Sequence, residues 1–405
     1  MNAWPTVPLE SLCEINIGRT PSRSEREYWG PGYPWLSIGD MNQGRDLIWT
    51  KEQITERASQ SVMGSMAQPG TVALSFKLSI GKVGIVRKPM YTNEAIAALP
   101  IRDQSRLLPE YLLWALRTID LFEESDDAAM GKTLNKKKLA RLKIPAPGLA
   151  EQRRIAEVLD RADALREKRR KSIALLDELT QSIFLDMFGN PVANRHGWSV
   201  KKFGDILDAI ESGRSPKCMD RPASGDQWGV LKLSAVTSCE YIPKENKALP
   251  LESVPDGKLE VRVGDLLFTR KNTPELVGAC AYVRETQSRL MIPDLIFRFK
   301  FLPGAPVEPQ YIHGLFTNQS KRSRIQALAG GSASSMSNIS KSKLLSLPVE
   351  LPPVDLQTKY VQRIEQIAAM KQQQSAHLAR LDTLFASIQS RAFRGELWQD
   401  ELKDL

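Results

Sequence analysis

The chain has 405 residues, of which 42% are apolar, and a net charge of +9. That length accommodates two to four domains with buried cores, and no apolar run reaches the ~20 residues of a membrane helix. Met1-Asn2-Ala3-Trp4-Pro5 has no signal-peptide grammar, and Cys13, Cys218, Cys239 and Cys280 show neither CxxC spacing nor framework clustering. They read as buried small residues in a reducing cytoplasm, which excludes a disulfide scaffold and a metal finger.

Residues 1–150 alternate short apolar runs with turns. Early in this part stands Gly18-Arg19-Thr20-Pro21, a tight turn that sets an Arg beside a hydroxyl and can offer a guanidinium to phosphate or to a base edge. The runs Pro34–Asp40, Gly70–Ser75 and Gly81–Val86 are bounded by Gly, Pro or Asp and predict buried strands, and Glu110–Arg117 predicts a helix. Then comes a basic loop, Gly131-Lys132-Thr133-Leu134-Asn135-Lys136-Lys137-Lys138, whose Lys132, Lys136 and Lys137 suit a sugar–phosphate backbone. The hinge Ile144-Pro145-Ala146-Pro147-Gly148 closes the part with stiff, extended chain.

Residues 151–190 predict a long helix. From Ile155 a heptad places Ile155, Ala162, Arg169, Leu176 and Ile183 at a, and Val158, Leu165, Ser172, Leu179 and Asp186 at d. At ~1.5 Å rise per residue its 34 or so patterned residues span about 50 Å. Phe188-Gly189-Asn190-Pro191 stops it, with Gly just past the helix end and Pro preventing continuation.

Residues 191–355 repeat the first part in other residues. Gly213-Arg214-Ser215-Pro216 is the second turn, Gly229–Leu233 and Gly264–Thr269 are strands, and Pro309–Phe316 is a helix. The second polar loop, Gly330 to Asn338 with Ser332 inside it, precedes Lys341 and Lys343, and Leu351-Pro352-Pro353 forms the second hinge. In residues 356–405 the heptad returns. Tyr360, Ile367, Gln374, Leu381 and Ile388 stand at a; Arg363, Met370, His377, Leu384 and Arg391 stand at d.

The two halves are therefore one duplicated unit. Leu176-Asp177-x-Leu179-x-x-Ser182-Ile183-x4-Phe188 recurs as Leu381-Asp382-x-Leu384-x-x-Ser387-Ile388-x4-Phe393, and Trp4, Leu9 and Leu12 answer to Trp198, Phe203 and Ile206. Gly70, Ser75, Val83 and Gly84 align with Gly264, Thr269, Val277 and Gly278 at a constant offset. Two isolated helices would expose their stripes, so the economical arrangement pairs them as an antiparallel coiled coil. Ile155, Leu165, Leu176, Leu179 and Ile183 would then face Ile367, Met370, Leu381, Leu384 and Ile388, with Arg169 and Ser172 near Gln374 and His377 in a polar middle layer. The fold class is α+β (mixed α/β), with two globular parts in pseudo-twofold tandem repeat. The positive excess lies in those globular parts, where it suits a polyanion, while the helical segments are nearly balanced.

Catalytic signatures are missing. There is no GxxxxGK[ST], no GxGxxG opening a helix, no HExxH and no GxSxG, and His196, His313 and His377 have no ligand or triad spacing. The duplicated grammar resembles the specificity (S) subunits of type I restriction–modification systems. The junctions carry the resemblance most strongly: Ile144-Pro145-x-Pro147-x3-Glu151-Gln152-Arg153-Arg154-Ile155 and Leu351-Pro352-Pro353-x3-Gln357, with Met187-Phe188-Gly189-Asn190-Pro191. The second junction departs from the Glu-Gln pair, having Leu356-Gln357.

The resemblance implies a cytoplasmic, non-catalytic chain whose partners are double-stranded DNA, two methyltransferase subunits and restriction/translocase subunits, with no membrane. It implies target-recognition domains at 1–150 and 191–355 and helical spacers at 151–190 and 356–405. It also implies no metal and no cofactor in this chain, S-adenosylmethionine belonging to the methyltransferases. The alternatives on sequence are a free-standing duplicated DNA-binding regulator or a coiled-coil scaffold without an enzyme partner.

Overall fold

In the computed structural model, residues 4–121, 134–330 and 336–397 are described. The chain divides into two compact units, Met1–Arg170 with Ala376–Leu405, and Lys171–Ser375. Each holds one globular part, the start of the long helix that follows it, and the end of the other long helix. The first long helix is Leu149–Phe188 and the second is Val354–Arg394. Among the described residues no helix is long and apolar enough to cross a membrane.

The first unit's strands are β1 (Thr6–Pro8), β2 (Asn16–Ile17), β3 (Trp29–Leu36), β4 (Asp46–Leu47), β5 (Glu52–Ile54), β6 (Val72–Ser75), β7 (Val83–Val86), β8 (Tyr91–Thr92), β9 (Ile96–Leu99) and β10 (Lys143–Pro145). A five-stranded sheet runs in the order β2-β9-β6-β7-β4, beside a three-stranded sheet β5-β3-β8 and the pair β1-β10. The apolar runs are continuous because both faces of the larger sheet are covered. Val72, Leu74, Val83, Ile85, Ala97 and Leu99 face a core shared with helix Pro109–Thr118 and Ile155, Leu159 and Phe385 of the long helices. Ala73, Val86, Ile96 and Ala98 face a second core with Leu36, Met41 and Leu47. The predicted strand 34–40 ends early, at Leu36. Asp40 accepts hydrogen bonds from the Ser37 N–H (2.9 Å) and hydroxyl (2.8 Å), folding the chain into a turn.

The second unit repeats this with β11 (Ser199–Lys202), β12 (Leu207–Ser212), β13 (Gly229–Leu231), β14 (Asn246–Ala248), β15 (Leu266–Thr269), β16 (Lys271–Asn272), β17 (Cys280–Tyr282), β18 (Leu290–Met291), β19 (Ile296–Phe301), β20 (Ser337–Asn338) and β21 (Pro348–Leu351). The sheets are β12-β19-β15-β17 and β14-β13-β18, with pairs β11-β21 and β16-β20. The register corrects one detail of the sequence alignment. Leu74 pairs with Val83 and Ala73 with Gly84, whereas Phe268 pairs with Cys280 and Leu267 with Ala281. The true counterparts of Val83 and Gly84 are therefore Cys280 and Ala281, not Val277 and Gly278. The second unit's hairpin loop is three residues longer, which a constant offset cannot follow.

Each junction glutamine is a buried clamp. The Gln152 amide donates to the carbonyls of Arg106 (2.8 Å) and Pro147 (2.9 Å), and its oxygen accepts from the Leu108 N–H (3.0 Å) at the start of helix Pro109–Thr118. Gln357 does the same with Pro306 (3.2 Å), Pro352 (2.8 Å) and the Glu308 N–H (2.9 Å), ahead of helix Pro309–Thr317. So the departure at Leu356 leaves the clamp intact. The hydroxyls of Tyr111 and Tyr311 donate to Pro145 (2.8 Å) and Glu350 (2.7 Å) carbonyls, tying those helices to the strand before each hinge. The indoles of Trp4 and Trp198 donate to Ala392 (2.8 Å) and Phe188 (3.0 Å) carbonyls at the ends of the long helices.

Burial along the long helices corrects the heptad. Leu165 (53% exposed), Leu179 (43%), Met370 (45%) and Leu384 (54%) stand in solvent, not in a seam. The protected positions are one residue later: Leu159, Arg166, Ile173, Thr180 and Met187 in the first helix, and Ile364, Lys371, Leu378, Phe385 and Ala392 in the second. The a positions, including Ile155, Leu176, Ile183, Ile367, Leu381 and Ile388, are buried or half-buried. In the second unit Asp177 meets Lys371 (2.6 Å) while Phe188 meets Tyr360 (ring centroids 5.3 Å), so these helix segments run antiparallel. In the first unit the equivalent pair is Arg166 with Asp382 (2.6 Å). The repeated Leu-Asp motif thus supplies one carboxylate to each unit.

Where helix Pro109–Thr118 has Leu113, the second unit has His313, whose Nε2–H donates to the Cys239 carbonyl (2.9 Å). Burial pushes this imidazole down to about 4. The unfolded chain takes up the proton near 6.5 and the folded chain does not, so stability is full above pH 6.5 and declines as pH falls towards 4. The expected result is a melting temperature that drops across this window, with a shallower slope in His313→Leu; identical slopes would show that the imidazole is protonated in the folded state.

Candidate nucleic-acid interface

The turn Gly18-Arg19-Thr20-Pro21 leaves β2 at the end of the sheet where β9 begins. Gly18 N–H donates to the Ile96 carbonyl (3.1 Å) and Arg19 N–H to the Thr92 carbonyl (2.8 Å). The approach is so close that a Cβ on Gly18 would lie 2.2 Å from the carbonyl oxygens of Thr92 and Asn93. The Thr20 hydroxyl donates to Glu94. Arg19 is exposed, with its guanidinium aimed by a hydrogen bond to the Val62 carbonyl (2.8 Å).

The described end of the basic loop lies beside this turn. Lys136 lines a cleft of about 430 Å³ together with Arg19, Asn16, Met63 and Tyr91. Asn135 caps helix Lys136–Arg141 through the Lys138 N–H (3.0 Å), leaving Lys136 and Lys137 exposed in its first turn. Two segments far apart in sequence thus meet at one end of one sheet.

The second unit builds the same frame. A Cβ on Gly213 would lie 1.8 Å from the Ile292 carbonyl oxygen. The Ser215 hydroxyl donates to Asp294, whose own N–H returns a bond to that hydroxyl (3.3 Å). Arg214 is exposed and pairs loosely with Asp256 (3.6 Å). Lys341 donates to the Ile210 carbonyl of β12 (2.6 Å) and stands 5.6 Å over the Phe297 ring, which Arg270 also faces at 5.5 Å.

Three assignments change in this light. The hydroxyls of Thr20 and Ser215 are engaged by carboxylates and hold the turn's shape. Lys343 is turned to the Leu328 carbonyl (2.7 Å). Lys132 and Ser332 lie outside the described residues. Sequence reasoning missed Glu94, Asp294 and Arg270. The available signal was an acidic residue just ahead of the same strand in both halves. Burial pushes the thiols of Cys13, up to about 12, and Cys280 upwards, so neither is a thiolate at neutral pH. Among the described residues no group of three or more His, Cys, Asp or Glu is arranged to hold a metal ion.

A family model, the type I restriction modification DNA specificity domain, matches residues 1–175. The EcoKI specificity subunit of Escherichia coli K12 is 30% identical over 434 residues, covering 99% of this chain and 91% of that one. The EcoEI specificity subunit of Escherichia coli is 38% identical over 170 residues, 42% of this chain but only 28% of that protein. For the MjaIX specificity subunit of Methanocaldococcus jannaschii the figures are 30% over 230 residues and 52% of each chain. The match thus spans about a quarter of EcoEI and half of MjaIX. The fold is that of the crystallised S subunit of a type I restriction-modification system from M. genitalium, with a TM-score of 0.56, 13% identity and 96% of each chain covered. Given a duplicated fold with one Arg-bearing turn in each unit and a relative that matches nearly end to end, this chain belongs to the specificity subunits of type I restriction–modification systems, a family of DNA target recognition.

Proposed function

We propose that the chain reads a split, asymmetric DNA target, one half-site per globular part (residues 1–150 and 191–355), and that it catalyses nothing itself. The observation that carries this reading is the pinned turn, built twice on the same backbone plan with different neighbours. Arg19 stands with Lys136, Tyr91 and Met63; Arg214 stands with Asp256. Equal frames with unequal side chains are what two different base sequences require, because phosphate contacts position a reader and base-edge contacts specify. The spacers at 151–190 and 356–405 set the distance between half-sites and dock two methyltransferase subunits, which carry S-adenosylmethionine and modify adenine in the flipped-out state. Restriction/translocase subunits then join. The exposed Leu165, Leu175, Leu179, Met370 and Leu384 support docking on the helices, since apolar side chains in water mark partner surfaces when they recur along one element.

Removing one heptad from both long helices tests the ruler. The mapped target is expected to keep both half-sites and change the length of the gap between them. An unchanged gap would overturn the role given to the helices.

A further inference from the structure

The β6–β7 loop of the first unit carries a side chain that the fold itself does not use. Leu78 is 89% exposed and holds φ +61, a left-handed conformation that a leucine rarely adopts. The loop around it is held firmly. The buried Ser75 hydroxyl donates to the Ser79 carbonyl (2.5 Å) and accepts from the Lys82 N–H (2.9 Å), while Gly81 N–H returns to the Ser75 carbonyl (2.9 Å). An apolar tip is thus fixed in water by the surrounding hydrogen bonds.

Its position in the sheet suggests a use. Ser75, at the end of β6, pairs with Ile96 at the start of β9, the same residue whose carbonyl accepts from Gly18. The Leu78 loop and the Arg19 turn therefore leave one end of one sheet, with Lys77 beside the tip. The second unit keeps the scaffold but not the side chain. The Thr269 hydroxyl donates to the Leu276 carbonyl (3.2 Å) and accepts from the Ala279 N–H (3.0 Å), but the residue before Leu276 is Glu275, whose carbonyl accepts from Gln326 (2.8 Å).

Resting on the reading of the chain as a DNA-recognition subunit, we propose that Leu78 is a base-contacting residue of the first unit's half-site. Its side chain leaves water by packing on the apolar surface of a base. That surface is either the face of a partly unstacked step or the methyl group of a thymine. Lys77 and Arg19 supply the phosphate contacts that hold the tip in place.

The test uses the full chain assembled with its methyltransferase subunits and a duplex bearing the motif that methylation mapping assigns to it. Leu78→Gly removes the side chain and suits the left-handed backbone. Its melting temperature is expected to equal or exceed the wild-type value, while affinity for the target duplex falls about tenfold and affinity for a scrambled duplex does not change. If a thymine methyl is the contact, uracil in the first unit's half-site lowers wild-type affinity to the level of Leu78→Gly and leaves the variant unaffected. If a base face is the contact, uracil has no effect, and 2-aminopurine at the step brightens with wild type but not with the variant. Specific wild-type binding with Leu78→Gly within twofold of it would overturn the inference and leave the DNA reading standing. A wild-type assembly with no preference for the motif over the scrambled duplex would overturn both.

Discussion

Gly213→Ala is expected to destabilise the second unit by about 3 kcal/mol and to abolish recognition of one half of the target. The reason is the backbone that the new methyl group would meet. Its carbon would lie 1.8 Å from the Ile292 carbonyl oxygen and 2.8 Å from that of Pro293. These are main-chain atoms of the buried connection between β18 and β19, and they cannot swing aside as a flexible side chain would. The turn must lift away, and the Ser215–Asp294 bond and the aim of Arg214 are lost with it. Gly18→Ala acts likewise on the first unit, where the clash is 2.2 Å, and on the other half-site. Thermal unfolding gives the stability, and base-by-base substitution of the target gives the half-site affected. Wild-type stability with both half-sites intact would show that the turns are not pinned as described.

The second large effect is on stability and lies in the helix Gln319–Ala327. Lys321 is completely buried and donates to the Glu350 carboxylate (2.6 Å) and the Pro348 carbonyl (2.5 Å). Burial pushes its ammonium downwards, opposed by the carboxylate beside it. Lys321→Ala leaves Glu350 buried without its partner, and the expected loss is about 3–5 kcal/mol. The double variant Lys321→Met/Glu350→Leu removes both charges and keeps volume, so it is expected to recover most of that loss. Urea midpoints measure both. A single variant that lost less than about 1 kcal/mol would mean that water reaches the site and solvates the stranded carboxylate.

Much of the architecture could be read from residues alone, because it rests on repetition and apolar runs. The duplicated turns, the strands β6, β7 and β15 and helices Pro109–Thr118 and Pro309–Thr317 follow from side chains whose burial sets their pattern. The coiled-coil seam shows the limit. Both a/d and shifted heptads begin from Ile155, and the sequence can be divided either way. The shifted one takes Leu159, Ile173 and Met187 in place of Val158, Ser172 and Asp186, and Ile364, Leu378 and Phe385 in place of Arg363, His377 and Leu384. A count of apolar residues would have favoured it. The exposed leucines drew the seam to the wrong side because hydrophobicity alone does not say whether a stripe meets the other helix or a further protein.

The site was harder for a different reason. The importance of the Arg-hydroxyl turns is visible in their repetition, but the role of each atom depends on a distant carboxylate, Glu94 for Thr20 (74 residues away) and Asp294 for Ser215 (79 residues away). No local pattern announces such a partner. The junction glutamines show the same thing. Gln152 and Gln357 carry the family resemblance in the sequence, and in the fold they are buried clamps that join each long helix to its own globular part.

Under the proposed function this chain gives a methyltransferase its address. The most direct test is to express it with its methyltransferase subunits in a host lacking other adenine modification, and to map methylated adenines across the genome. The expected result is a single two-part motif with a fixed gap, absent when the chain is omitted, with one half lost in Gly18→Ala and the other in Gly213→Ala. Methylation that is undivided, or that persists without the chain, would contradict it.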